Sequence, residues 1–345
     1  MAKVKTGNKS KKKGLRVFLI IVLVLLIIGV IFFSTVLGVL YSKLSKIQHY
    51  ELGNVEVNEG VEEQLKGYRN IALFGVDART NTYKNTRSDI IMIVSLNQDT
   101  NEVKLTSVYR DTYMYIDGHG YDKITHAYAY GGPELAISAL NKNLDLNIKE
   151  FVTVNFNAVI DIVDSVGGIE IDVTSEEVGY LNNYIDDVNK EMGRHDSHIS
   201  GSGHKKLTGA QALAYSRIRY TAGGDFKRAE RSRTVLNKTF EKAKKLSVGQ
   251  LNKLSDILLP KVLTNVSSTE IIGMIPKLGS IKVSEGEGWP YKTQFYNNGV
   301  SYVAPVTLKE NVKQLHAHMF GDNNYEVSSK VKEYSDGIIK KTGYK

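Results

Sequence analysis

The chain has 345 residues, 45 basic and 37 acidic side chains, a formal charge of +8, 42% hydrophobic residues and no cysteine. That composition excludes wholesale disorder, a disulfide framework, a thiolate zinc site and a cysteine nucleophile. Seven of the basic side chains (Lys3, Lys5, Lys9, Lys11, Lys12, Lys13 and Arg16) crowd into residues 1–16 with no acid, so the rest of the chain is nearly neutral and the charge is weak support for a nucleic-acid partner.

Residues 17–42 carry no charged side chain and are apolar on every face. A run of about 20 such residues crosses a bilayer core, whereas the apolar region of a cleaved signal peptide is shorter, about 7–15 residues. The basic cluster precedes the span and only Lys43 and Lys46 follow it closely, which keeps the amino terminus cytoplasmic and puts residues 43–345 outside. The expected organisation is a cytoplasmic basic segment (1–16), a transmembrane helix (17–42), a stalk (43–66) with a short helix over 61–68, a catalytic domain (67–285) and a C-terminal extension (286–345).

Short aliphatic and β-branched runs at residues 70–76 (NIALFGV), 89–96 (DIIMIVSL) and 103–109 (VKLTSVY) predict strands. The polar Gln98-Asp99-Thr100-Asn101 makes the last two an antiparallel hairpin. Downstream, a helix is expected over 134–144, a strand over 151–156, a helix over 158–166 and a strand over 169–173. Residues 176–204 are polar and read as an irregular surface excursion. Helices follow at 208–215, 226–246, 247–259 and 269–278, then a peripheral strand and helix (308–320) and a polar tail. Strands interleaved with helices of this length give an α/β layered domain.

The hairpin has a chemical consequence. Arg87 and Asp89 enter one strand while Arg110 and Asp111 leave its antiparallel neighbour, so all four share one end of the sheet. Asp77 and Arg79 leave residues 70–76 and join that edge if their strand runs parallel to 103–109. Carboxyl ends of strands are where open α/β sheets place ligands, although three aspartates among three arginines would also form a mutually neutralising surface cluster. A second group of arginines favours a ligand. Arg217 and Arg219 alternate around Ile218, and Arg228 and Arg231 lie three apart at a helix start, where cations oppose the helix dipole unless an anion sits there. Arginine forks suit phosphate oxygens, and carboxylates suit a hard divalent cation that bridges them, which together point to phosphoryl transfer. No Walker-type lysine loop is present, the serines show no GxSxG elbow, and His195, His198 and His204 lack the companions of a zinc site.

The motifs GVDAR (75–79), TRSDIIMIVSLN (86–97), YRDTYM (109–114), AYAYGG (127–132), VNFNAVIDIVDSVGGIEIDV (154–173), LTGAQALAYSRIRY (207–220) and GDFKRAER (224–231), in this order behind an amino-terminal anchor, resemble the LytR-CpsA-Psr proteins of Gram-positive bacteria over roughly residues 68–245. The resemblance implies a three-layer α/β/α core with a mixed central sheet and an apolar lipid pocket. It implies a membrane-anchored transferase that moves a glycopolymer, such as teichoic acid or capsule, from a polyprenyl-pyrophosphate carrier to a sugar hydroxyl of peptidoglycan, with Mg²⁺ or Mn²⁺. Asp77 and Asp89 would bind the metal, one of them activating the acceptor hydroxyl. Arg110, Arg217, Arg219 and Arg228 would grip the pyrophosphate, supported by Arg79, Arg87, Arg231 and Lys142. Two positions depart from the family pattern: Tyr109 adds a hydroxyl-bearing ring near the phosphate site, and Ser232 stands where an amide is usual. The competing classes are a lipid-pyrophosphate binding module, a pyrophosphatase and a membrane-bound transcription regulator; the last is opposed by the short cytoplasmic segment.

Overall fold

Three of the predicted strands form the middle of a mixed sheet that is eight-stranded among the described residues. The computed structural model describes residues 38–76, 83, 85–274, 280–284 and 286–345. The chain divides into two units, Met1–Lys46 and Ile47–Lys345. In the first, residues 38–44 are helical. The basic segment and most of the expected span lie outside the described residues, and no described helix is long and apolar enough to cross a membrane.

The second unit begins with β1 (Gln48–His49) and a helical turn, α1 (Val61–Gln64). Next come β2 (Tyr68–Val76), β3 (Ser88–Asn97), β4 (Glu102–Val108), a hairpin of β5 (Tyr113–Ile116) and β6 (Gly120–Lys123), then α2 (Ile124–Leu144), β7 (Glu150–Asn155) and α3 (Phe156–Ser165). A second hairpin, β8 (Ile169–Val173) and β9 (Gly203–Leu207), encloses α4 (Ser175–Met192) and is followed by α5 (Gly209–Arg217), α6 (Gly224–Ala243) and α7 (Val248–Leu258). The remainder is β10 (Val262–Thr264), α8 (Ser268–Met274), β11 (Lys282–Val283), β12 (Glu287–Trp289), β13 (Thr293–Asn297), β14 (Ser301–Pro305), α9 (Leu308–Phe320) and α10 (Ser329–Thr342).

The sheet order is β1-β10-β7-β2-β3-β4-β11, with β12 also on β4. β2 and β7 run parallel, and β3 is antiparallel to both β2 and β4, so β2 and β4 end at the same edge. Period-two alternation explains the layers. Phe74, Ile91 and Ile93 point to one face and join a core built with α2, α9 and α10. Met92 and Leu105 point to the other face, toward Leu236 of α6. A satellite core fills the space among α3, α4, α5 and the β8–β9 hairpin.

Three expectations are corrected. Residues 176–204 are not an irregular excursion: α4 occupies most of them, opened by a capping box between Thr174 and Glu177 and buried through Leu181, Ile185 and Val188. Residues 286–345 do not stand apart, because Trp289, Leu308, Val312, Leu315, Val331 and Ile338 share the core of the β2–β3–β4 sheet. Truncating a buried residue of the size of Trp289 costs about 3–5 kcal/mol, and its indole Nε1 is satisfied by Asn311 O at 3.1 Å. The stalk is likewise bound to the domain: Glu56 N donates to Ser138 Oγ at 3.1 Å, and Asn58 Nδ2 to the buried Asp145 Oδ1 at 2.6 Å.

The C-terminal segment is clasped at the end of α2. Ser328 N donates to Asp145 Oδ2 at 2.8 Å, and His316 Nε2 donates to Leu144 O at 3.0 Å while its ring stacks on Tyr325. Burial holds the His316 imidazole below its ordinary 6.5, against the opposing pull of the Leu144 carbonyl, Asp145 and Asp322. The folded ring therefore stays neutral while the unfolded chain takes up a proton, so its contribution to stability is complete above about pH 6.5 and is lost as pH falls. The unfolding midpoint should drop between pH 7 and pH 5 more steeply in the wild type than in His316→Asn; equal slopes in a thermal melt series would contradict this.

Candidate active site

The site starts from the turn of the β3–β4 hairpin. Asn97 Oδ1 accepts from Asp99 N and Thr100 N at 3.0 and 3.1 Å, and Asn101 takes the left-handed φ of 56° that an asparagine tolerates. This turn fixes the register Ile91↔Val108. Two residues further along each chain, Asp89 faces Arg110, and Arg110 Nη1 donates to Asp89 Oδ1 at 2.5 Å. Asp111 lies 3.7 Å from Arg110 Nε and 3.1 Å from Lys123 Nζ. Lys123 was missed by sequence reasoning, since only the β5–β6 hairpin carries it back to this edge.

A cavity of about 200 Å³ opens beside Asp89, with Arg217, Arg219 and Arg228 on its walls and Phe156, Ile90 and Tyr184 as its apolar lining. Each arginine comes from a different local structure. Arg217 ends α5, where a cation complements the helix dipole; Glu191 Oε2 accepts from its Nη1 at 2.8 Å, and its guanidinium lies 5.7 Å from the Phe156 ring centroid and 5.9 Å from that of Tyr184. Arg219 follows in the extended segment after α5. Arg228, buried on the first turns of α6, donates from Nη2 to Asp89 O at 3.1 Å and so ties that helix to β3. The close approach of α5 and α3 depends on Gly209, where a Cβ would run into the Ile160 carbonyl.

The predicted residues are not all brought together. Asp77 and Arg79 lie outside the described residues, although β2 ends at Val76, paired with Ser88 beside Asp89. Arg87 is exposed at the same edge, where its charge acts on Tyr130. Lys142 is placed elsewhere: it bonds Glu56 at 2.6 Å and Asp117 at 3.1 Å and lines a separate cavity with Ser328 and Lys330. Burial alone would lower its ammonium, but the two carboxylates raise it above the ordinary lysine value. Arg231 points away from the cavity. Its guanidinium donates to Glu177 Oε1 at 2.8 Å, Ile218 O at 3.0 Å and Thr221 Oγ1 at 2.6 Å, bracing the segment that carries Arg219. Tyr184 and Glu191 were missed with α4; the signal was the spacing of Val178, Leu181, Ile185 and Val188 by three, four and three. Two of the three histidines of the former excursion form exposed pairs, His198 with Asp186 and His204 with Asp172.

Residues 35–318 match the family described as LytR_cpsA_psr. The chain belongs to the LytR-CpsA-Psr family. Among its LytR-CpsA-Psr relatives, the polyisoprenyl-teichoic acid–peptidoglycan teichoic acid transferase TagT of Bacillus subtilis is 31% identical over 291 residues, covering 81% of this chain and 88% of TagT. A structure titled TagT bound to LI-WTA superposes with a TM-score of 0.60 at 28% identity, covering 80% of this chain and all of that one. A family structure with bound octaprenyl pyrophosphate lipid, YwtF (TagT), has a TM-score of 0.56 at 28% identity, with 79% and 100% coverage. The two departures from the LytR-CpsA-Psr pattern take on a local meaning here. The Tyr109 hydroxyl lies against Gly288, where a Cβ would collide with it, and the ring meets Phe226 edge-on at 4.5 Å, so Tyr109 braces α6 against β12. Ser232 lines the cavity and donates back to Arg228 O at 3.1 Å, a short side chain that leaves space beside the arginines.

Proposed function

We propose that this protein transfers a teichoic-acid-type glycopolymer from a polyprenyl-pyrophosphate carrier to a sugar hydroxyl of peptidoglycan. The convergence of Arg217, Arg219 and Arg228 with Asp89 around a cavity that also has apolar walls carries the reading. Three guanidinium groups suit the oxygens of a diphosphate, and Phe156 and Ile90 suit the hydrocarbon that such a carrier bears. The named activity of the 31% identical transferase supports the same substrates.

In this reading the arginines hold the diphosphate and neutralise charge as it develops. The acceptor hydroxyl oxygen attacks the phosphorus that bears the glycan, the bond to the bridging oxygen breaks, and polyprenyl phosphate leaves with the electron pair. The hydroxyl proton passes to the Asp89 carboxylate, or to Asp77. Among the described residues no three acidic or histidine side chains gather as a metal cage; Mg²⁺ is commonly held by one or two carboxylates plus phosphate oxygens, so Asp89 with Asp77 fits the role. Bound there, Mg²⁺ or Mn²⁺ would neutralise diphosphate charge. Residues 17–42 would anchor the enzyme in the cell membrane with its catalytic domain outside.

The test uses the full chain in detergent or vesicles with a labelled lipid-linked glycopolymer and peptidoglycan. Label should move to peptidoglycan with release of polyprenyl phosphate, stop with a chelator, and resume with Mg²⁺. Cleavage with water as acceptor would instead identify a pyrophosphatase, and stoichiometric capture without product a lipid-binding module.

A further inference from the structure

The arginine cavity, lined by Arg217, Arg219 and Arg228 with Phe156 and Ile90, is taken up by the diphosphate and hydrocarbon of the donor in the reading above, which leaves the bulk of an acceptor sugar to be held elsewhere. A second cavity, about 360 Å³ and within the range of small-ligand sites, lies by the same sheet edge. Its walls include the rings of Tyr50, Tyr83, Tyr128 and Tyr130 and the amides of Gln48 and Asn85, and none of its described lining residues is charged. We infer that this cavity is the acceptor subsite, binding a neutral sugar ring of the peptidoglycan glycan strand; the inference rests on the transferase reading above.

The two cavities belong to opposite faces of the sheet. Tyr128 packs edge-on against Phe74 at 5.1 Å, and its hydroxyl bonds Thr153 Oγ1 at 3.0 Å, which puts this cavity on the α2 face. Arg228 and Ser232 come from α6, which covers the other face through Leu236. The α2 side is tied to the catalytic edge, because Thr125 Oγ1 donates to Ser88 O at 2.8 Å, one residue before Asp89. Phosphoryl transfer needs attacking and leaving oxygens roughly in line across phosphorus. An acceptor entering from the α2 face meets a diphosphate held by the arginines from the opposite side.

The chemistry of the walls selects the occupant. Three of the four phenols are spent on the protein: Tyr83 donates to Lys261 O at 2.7 Å, Tyr128 pairs with Thr153, and Tyr130 donates to Asp122 Oδ2 at 2.8 Å. The rings are therefore held as fixed platforms, and the Tyr130 ring is thickened by His119 stacked at 4.0 Å and 9°. Flat aromatic faces suit the C–H faces of a pyranose, and side-chain amides donate to and accept from its hydroxyls. The charge of Arg87 reaches Tyr130 at the rim, but no described lining residue supplies the guanidinium forks that suit a diphosphate in the arginine cavity. The opening itself is built by the sequence: Gly132 adopts φ 64° and ψ −157°, a conformation reserved for glycine, which breaks α2 at Gly131-Gly132 and turns the two halves away from each other.

Tyr130 is 46% exposed, so its substitution leaves the core intact. The experiment compares full-length wild type, Tyr130→Ala and Tyr130→Phe, using a peptidoglycan glycan-strand oligosaccharide as acceptor and probe. Tyr130→Ala should raise the acceptor KM at least tenfold with the donor KM within twofold of wild type, and Tyr130→Phe, which keeps the ring, should restore the acceptor KM to within threefold. An unchanged acceptor KM in Tyr130→Ala overturns the inference, as does a matching rise in the donor KM, which would assign the cavity to the lipid carrier. If the wild type transfers nothing, the transferase reading fails, and direct binding of the oligosaccharide by saturation-transfer NMR decides separately: signal lost in Tyr130→Ala upholds the subsite, and no wild-type signal or an equal one in both removes it.

Discussion

Arg110→Ala is expected to lower the rate of glycopolymer transfer by about 10²–10³-fold, the usual loss when one preorganised charge stabiliser is taken from a transition state. The residue's position follows from hairpin register, which sets it opposite Asp89, within a hydrogen bond of the carboxylate proposed to receive the hydroxyl proton. Its removal has two effects: charge that builds on the diphosphate loses a partner, and Asp89 loses the guanidinium that orients it. Lysine should rescue poorly, because a point charge on a flexible stem does not reproduce a planar fork. The pair retains some solvent contact, with side chains 16% and 18% exposed, so the stability cost should be small. A transfer rate for Arg110→Ala within threefold of wild type, measured at saturating donor with an unchanged thermal midpoint, would remove Arg110 from the site.

Arg231→Ala should unfold the domain more readily, by about 3–5 kcal/mol in urea denaturation, the cost of stripping one partner from a buried ion pair. Side-chain exposures of 5% and 8% leave neither Arg231 nor Glu177 able to fall back on water. Three acceptors lose their donor together, among them the Ile218 carbonyl next to Arg219. Activity should fall chiefly through fewer folded molecules, and any rise in the donor KM, from a loosened Arg219 segment, should come only together with the loss of stability. Normal stability with a raised donor KM would return Arg231 to the diphosphate-binding group.

These two arginines show how far the sequence reaches. Three residues apart on a helix, Arg228 and Arg231 share a side, as the spacing implies, but they are separated by about 4.5 Å along the axis. Only the first clears the cavity rim; the second drops to the level of Glu177. Neighbouring positions on a helix are legible from spacing, whereas the depth of a cavity is a tertiary property. The Asp89–Arg110 pairing was legible because a four-residue turn leaves one plausible register. The helices α4 and α10 were not recognised because their polar residues outnumber the apolar ones. Their buried positions nevertheless recur at helical spacing, as Leu181, Ile185 and Val188 and as Val331, Tyr334 and Ile338. Lys142 was misplaced because nothing local distinguishes a lysine at a diphosphate from one paired with Glu56 and Asp117.

The pairing of β12 with β4 also orders events in time. Tyr109, next to Arg110, receives its backbone partner from Trp289, and β4 is flanked on that side by residues 287–289. A ribosome delivers Arg110 long before it delivers that strand, and contacts so distant along the chain are slow to close. The catalytic edge therefore matures late, after α6 and β12 have both been made. A nascent or prematurely terminated chain that already holds Asp89, Arg110, Arg217, Arg219 and Arg228 would still lack the backbone that holds Tyr109 in line, and would pass through synthesis without a working site.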